Sequence, residues 1–211
     1  MIDTKYTYAV ARIRALETAL FTSATLDQLM ACQTEEQCLQ LIQEKGWGGA
    51  DTPVNAEAIL TREQEKIWEN IRDLGVDMSV FDVLSYPNMF HNLKAAIKDV
   101  CTEENGKSMN IYYDDTAISP DEMLEIVRSK DFSRLPKYMA GAAKEAYETL
   151  LHTRDGQLCD VIVDKAALEA IYAAGKEAKD SIIKDYAEST VAIADIKIAV
   201  RSQKTAKIWI L

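Results

Sequence analysis

An all-α fold is what this sequence predicts, and three observations predict it. Across 211 residues there are 8 glycines and 4 prolines, fewer turn formers than an all-β chain of this length needs. Four phrases of the form S/T-x-x-E/Q stand at Thr25–Gln28, Thr34–Gln37, Thr61–Gln64 and Ser119–Glu122. In such a capping box the hydroxyl and the third-position side chain satisfy N–H groups that a helix start leaves orphaned. Elsewhere apolar residues recur at spacings of three and four, the period of one helix face.

Taken in order, the capping boxes start helices near residues 26, 35, 62 and 120. Pro53 and Pro120, each following a hydroxyl residue, mark first helical positions near 54 and 120. Periodicity predicts further helices across about 4–22, 78–101, 132–151, 160–175 and 178–206. Gly46, Gly48 and Gly49 close the helix begun at 35. From Thr102 to Ile118 the signals fade: Asn105, Gly106 and the run Tyr112-Tyr113-Asp114-Asp115 predict a loop between two helical halves, 1–105 and 106–211.

The composition is that of a soluble globular chain, 48% hydrophobic and 27% charged, with a net charge of -10. That charge repels a phosphate backbone and an anionic lipid surface alike, so nucleic acid and direct lipid insertion are disfavoured and a protein partner is the default. No apolar run approaches the roughly 20 residues needed to span a bilayer, and no basic segment followed by an apolar one opens the chain. A cytoplasmic protein is expected. Cys32, Cys38, Cys101 and Cys159 form no C-x-x-C pair and have no histidine at ligand spacing, so they read as small buried hydrophobes.

Enzyme chemistry finds little support. Asp114 and Asp115 resemble the aspartate-rich opening of all-α isoprenoid synthases, where clustered carboxylates bind magnesium, but Ala117 and Ile118 occupy the places for the third aspartate. Glu148 and His152 are four apart, yet a di-iron bundle needs Glu-x-x-His from two helices and the chain has 2 histidines. His91 and His152 read as surface or partly packed groups. No P-loop, G-x-G-x-x-G or G-x-S-x-G is present. Neither a catalytic residue nor a metal site nor a cofactor is predicted.

One phrase recurs. HNLKAAIKD, His91 to Asp99, aligns with ADIKIAVRS, Ala194 to Ser202, pairing Asn92 with Asp195, Leu93 with Ile196, Lys94 with Lys197 and Lys98 with Arg201. Asp82 and Asp185 fall into the same register. In each copy an apolar stripe (Phe90, Leu93, Ile97; Ile193, Ile196, Val200) is expected to face a core. Ala96 and Ala199 leave room for a neighbouring helix, and the paired cations are expected on an exposed side.

The opening YTYAVARIRALETALFTSATLDQLMACQTEEQCLQLI, with Tyr6, Ala9, Arg12, Arg14 and Ala15, resembles the start of the C subunit of the V-type (archaeal-type) ATP synthase, equivalent to the d subunit of the eukaryotic V-ATPase. DVLSYPNMFHNLKAAIKD and DYAESTVAIADIKIAVRSQKTAK resemble that family's recurring "Asp, then Asn-Leu-Lys-x-x-x-Lys/Arg" helices, and DVIVDKAALEAIYAAGKEA resembles the helix before the second. Asp195-Ile196 replaces the usual Asn-Leu, and Trp47 stands in place of a Tyr.

The resemblance implies a funnel-like, all-α protein built from three related segments about a pseudo-threefold axis. Such a protein is a non-catalytic socket on the cytoplasmic face of the membrane, coupling the shaft formed by the D and F subunits to the rotor ring during proton or sodium-ion transport. Two segments are expected here, 1–105 and 106–211, with the third absent and the run Ile208-Trp209-Ile210-Leu211 left as an exposed apolar end that favours self-association. Arg12, Arg14, Asn92, Lys94, Asp195 and Lys197 are the candidate partner-binding residues. An unrelated helical adaptor and an all-α magnesium-dependent lyase stand as the alternatives.

Overall fold

The computed structural model describes residues 6–102 and 111–205. Every regular element among these residues is helical, and no strand occurs among them. The chain forms two compact units, 1–78 and 79–211. The segment boundary expected at 105/106 lies outside the described residues, as does the Ile208–Leu211 run.

Among the described residues the first unit holds four helices: α1 (Thr7–Glu17), α2 (Ser23–Met30), α3 (Glu35–Glu44) and α4 (Ala56–Asp73). Helix α3 begins where its capping box places it, Thr34 Oγ1 accepting from Gln37 N at 3.3 Å. The expected start near 26 moves upstream. Thr22 caps α2 by accepting from Thr25 N at 3.2 Å, and Thr25 itself is buried. No helix starts near 62, because Thr61–Gln64 lies inside α4, whose cap is Asn55 accepting from Ala58 N at 2.8 Å. A capping phrase inside a running helix has no orphan donors to satisfy.

Few side chains in this unit are fully covered; Ile59 is the main one, and α1 buries none. The glycine loop after α3 is tied to α4 instead. Gly46 and Gly48 adopt φ of +88° and +78°, a region open to glycine and strained for other residues. Gly48 N donates to Glu63 Oε1 at 2.6 Å, and Lys66 Nζ donates to Gly48 O at 3.1 Å while pairing with Glu63. Phe21 stacks on Trp47 at 4.6 Å.

The second unit holds α5 (Asp82–Thr102), α6 (Pro120–Ser129), α7 (Lys137–Thr153), α8 (Gly156–Glu177) and α9 (Ser181–Thr205), with single 3-10 turns at Met78–Phe81, where the two units meet in sequence, and Phe132–Arg134. Ser119 caps α6 with Pro120 in the first position, as predicted. Asp155 caps α8, its Oδ1 accepting from Gln157 N at 2.9 Å and Leu158 N at 3.0 Å. Lys130 and Arg154 end α6 and α7 in the left-handed conformation.

The core gathers around α5. Phe90, Leu93, Ala96 and Ile97 are buried against Met123, Ile126 and Val127 of α6, Met139, Ala143, Ala146 and Leu150 of α7, and Cys159 and Val163 of α8. Each large apolar side chain so covered contributes about 1.5–3 kcal/mol. A second cluster joins Val83, Ile171 and Ala187, linking the start of α5 with α8 and α9.

Three expectations are corrected here. The second stripe faces no core: Leu93 is 0% exposed but Ile196 is 64% exposed, with Ile193 and Val200 also open. Helix α9 turns Ile183 and Ala187 toward α8, and a stripe on another side of a helix that packs mainly on one neighbour stays uncovered. The two like phrases therefore occupy unlike surroundings, and what they share is an amphipathic pattern. Second, Lys94 and Lys98 do not stand on an exposed side; they pair with α8. Third, of the cysteines only Cys159 is buried. Burial, reinforced by the Asp160 carboxylate, pushes its thiol up to about 11.

Candidate partner-binding surface

Helix α5 presents a different chemistry on each flank of its buried stripe. On one flank a strap, residues 111–118, is fastened to the helix. Asn92, 0% exposed, donates through Nδ2 to Tyr113 O at 2.8 Å and Thr116 Oγ1 at 3.2 Å, and its Oδ1 accepts from Tyr113 N at 2.9 Å. A carboxamide is the side chain that can give and take in one place, so it satisfies both the N–H and the C=O of one peptide segment. His91 Nε2 lies 2.9 Å from Ile111 O, Asn88 Nδ2 donates to Asp115 Oδ1 at 3.1 Å, and Tyr112 donates its hydroxyl to Asp99 Oδ2 at 2.6 Å. Burial and the Asp99 carboxylate hold the Tyr112 phenol above its ordinary range.

On the other flank two ion pairs cross to α8. Lys94 Nζ is 2.7 Å from Asp164 Oδ1, and Lys98 Nζ is 2.7 Å from Asp160 Oδ1. Ascending α5 from 94 to 98 descends α8 from 164 to 160, so the helices run antiparallel and the four-residue spacing on one matches that on the other. Lys98 donates to Oδ2 of Asp160 at 2.8 Å, whereas Oδ1 has the ion contact without a hydrogen bond. These pairs are partly open to solvent, which limits each to roughly 0–1 kcal/mol. Their value is in fixing register.

The six candidate residues are thus scattered. Arg12 donates to Asn70 Oδ1 of α4 at 3.3 Å, and Arg14 pairs with Glu17 at 2.7 Å, so the two point to different neighbours as their spacing requires. Asn92 reaches any partner only through the strap that it fixes. Lys94 is joined to α8. Asp195 and Lys197 are exposed on α9, beside the open stripe of Ile193, Ile196 and Val200. Sequence reasoning missed Asp160 and Asp164, although DVIVD spaces two carboxylates to match two lysines. It also missed that an apolar stripe belongs to the surface.

Asp114 and Asp115 are exposed on the strap, and Glu148 and His152 are exposed or nearly so on α7. Among the described residues no group of three or more His, Cys, Asp or Glu side chains is placed to hold a metal ion. No helix of the described residues is long and apolar enough to cross a membrane.

The family model of the ATP synthase (C/AC39) subunit matches residues 9–208. The chain belongs to that family. It is accordingly a V-type ATP synthase subunit of the C/d kind, a structural component of that complex, and its all-helical architecture is the family's. No curated protein and no solved structure matches it. In this family member the Asn-Leu-Lys phrase of α5 is therefore the hub of a helical core, with Asn92 clamping a strap and Lys94 ion-paired to α8.

Proposed function

We propose that this protein is a non-catalytic coupler in the central stalk, seating the D–F shaft on the membrane rotor ring from the cytoplasmic face so that ion flow and ATP turnover are linked through rotation. The observation that carries this reading is the family match over nearly the whole chain. The build of the second unit supports it. A part that transmits torque must resist local opening, and α5 is held on three sides: by its buried stripe, by the Asn92 clamp and by the Lys94–Asp164 and Lys98–Asp160 pairs. Under this reading residues 1–105 and 106–211 are successive helical segments of the socket. Arg12, Arg14, Asp195 and Lys197 are the exposed positions from which contacts to the shaft or ring are made, with Asn92 and Lys94 supporting them from within.

The test is reconstitution. A complex stripped of this protein is expected to hydrolyse ATP without pumping ions, and adding the purified chain is expected to restore ATP-driven pumping. The chain alone is expected to give no heat of binding with magnesium and ATP. Binding and turnover of nucleotide by the isolated chain, or normal pumping in its absence, would overturn the coupler reading and favour an adaptor or an enzyme.

A further inference from the structure

Cys32 and Cys38 flank the turn that joins α2 to α3. Cys32 is the second residue past α2, and Cys38 lies within the first turn of α3. Their sulfurs converge on one place. Cys32 Sγ donates to Gln28 O at 3.4 Å and Cys38 Sγ donates to Leu29 O at 3.7 Å. These are consecutive carbonyls of the last turn of α2, about 1.5 Å apart along its axis. The thiols also reach each other: partial burial and the hydrogen-bonding contact with Cys38 hold the Cys32 thiol above its ordinary value. Both residues are half-buried, neither sealed in a core nor fully open. The turn between them is fixed by its own bonds, Gln37 N donating to Thr34 Oγ1 at 3.3 Å and Gln33 N to Gln37 Oε1 at 2.8 Å. Neither carbonyl depends on a thiol. Gln28 O also accepts from Ala31 N and Leu29 O from Cys32 N, each at 3.2 Å, and an S–H is a weak donor. Loss of both thiol hydrogens therefore orphans no backbone group.

We propose that Cys32 and Cys38 are a reversible dithiol–disulfide site, closed by thiol–disulfide exchange with a small-molecule disulfide of the glutathione type. The Cys32 thiolate, its proton given to solvent, attacks one sulfur of the oxidant, and the other sulfur leaves as a thiolate that takes up a proton. The Cys38 thiolate then attacks the Cys32 sulfur of this mixed disulfide, forming the Cys32–Cys38 bond and releasing the second small thiol. Two electrons pass from the protein to the oxidant, which ends as two thiols. Cys32, in the coil past α2, has the freer backbone to bring the sulfurs from contact to the about 2.05 Å of the bond. The bond staples α2 to α3 in the unit that covers few of its side chains, adding rigidity where apolar packing supplies little. In reducing surroundings the pair rests as a dithiol, and a bond of this kind is transient or redox-sensing. The inference rests on the first unit alone and not on the coupler reading.

The experiment equilibrates the full chain, first reduced and then freed of reductant, with mixtures of oxidised and reduced glutathione. Cleavage after Glu35 or Glu36 separates the two cysteines, so peptide mapping should recover them as two peptides joined by a reductant-sensitive link, with Cys101 and Cys159 outside it. The equilibrium constant for closure should be at least about tenfold larger in buffer than in urea, a difference of about 30 mV, because the folded chain holds the sulfurs together. By the reciprocity of coupled equilibria the bond should then favour the fold in turn, and amide exchange across 23–44 should slow on oxidation. Cys32→Ser and Cys38→Ser should each abolish the link and leave the remaining member of the pair as a mixed disulfide. Equal closure in buffer and in urea, a link that engages Cys101 or Cys159 instead, or stable mixed disulfides with no internal link overturns the proposal. So does faster exchange across 23–44 in the oxidised chain, since the bond would then work against the fold.

Discussion

Gly175 of α8 and Ala187 of α9 sit so close that a Cβ added to the glycine would stand 2.3 Å from the Cβ of Ala187. No two non-bonded carbon atoms tolerate that separation, so the absence of a side chain at 175 sets how near the two helices lie. The alanine opposite completes the fit. Both residues are buried, and Ile171 and Val83 close the same cluster.

Gly175→Ala is therefore expected to destabilise the protein despite alanine's helix propensity, which favours it by about 1 kcal/mol. Overpacking of this kind costs roughly 1–3 kcal/mol, so the net loss is the smaller remainder. Urea unfolding checks it. The decisive variant is the double change Gly175→Ala with Ala187→Gly, which restores space at the crossing and should recover most of the packing loss. No recovery would mean that the crossing is not what Gly175 serves.

Asn92 gives a second prediction. Replacing it by Ala removes three hydrogen bonds and leaves the Tyr113 N–H without its partner, while the Tyr113 carbonyl keeps only the Thr116 hydroxyl at 3.3 Å. Each such loss costs about 1–3 kcal/mol, and amide exchange at Tyr113 should accelerate. Asn92→Asp tests the donor half alone. A carboxyl at this buried place, facing the Tyr113 carbonyl, keeps its proton above the ordinary value of about 3.9. Its contribution is then complete below that pH and is lost as pH rises through the folded-state value. The variant should unfold more easily at neutral than at mildly acid pH, with wild type as the reference; a loss independent of pH would argue against the clamp geometry.

The Lys94–Asp164 pair supplies a third. With Asp164 more than half exposed, a double-mutant cycle with Lys94→Ala and Asp164→Ala should yield a coupling of about 0.2–1 kcal/mol. It should shrink as salt is raised, because screening weakens exposed pairs. A coupling of zero at low salt would show that the pair is an incidental contact, and register between α5 and α8 would then rest on the Lys98–Asp160 pair and the apolar core.

The helical class and the placement of α3, α6 and the stripe on α5 were settled by the sequence itself. Capping hydroxyls, Pro120 and three-and-four spacing act within a few residues of chain, so their outcome depends little on the rest of the molecule. The family likeness was legible for a related reason, being carried by phrases spread along the whole length. Tertiary structure decided what those local patterns could not. Asn55 overruled Thr61 because a helix is cooperative and absorbs a later start signal. Lys94 and Lys98 became interhelical, and Asn92 a clamp, only when α8 and the strap arrived from far along the chain. The stripe of Leu93 and that of Ile196 look alike in sequence, yet one is core and the other surface. Periodicity states that a helix has an apolar side, and burial depends on which helix comes to cover it.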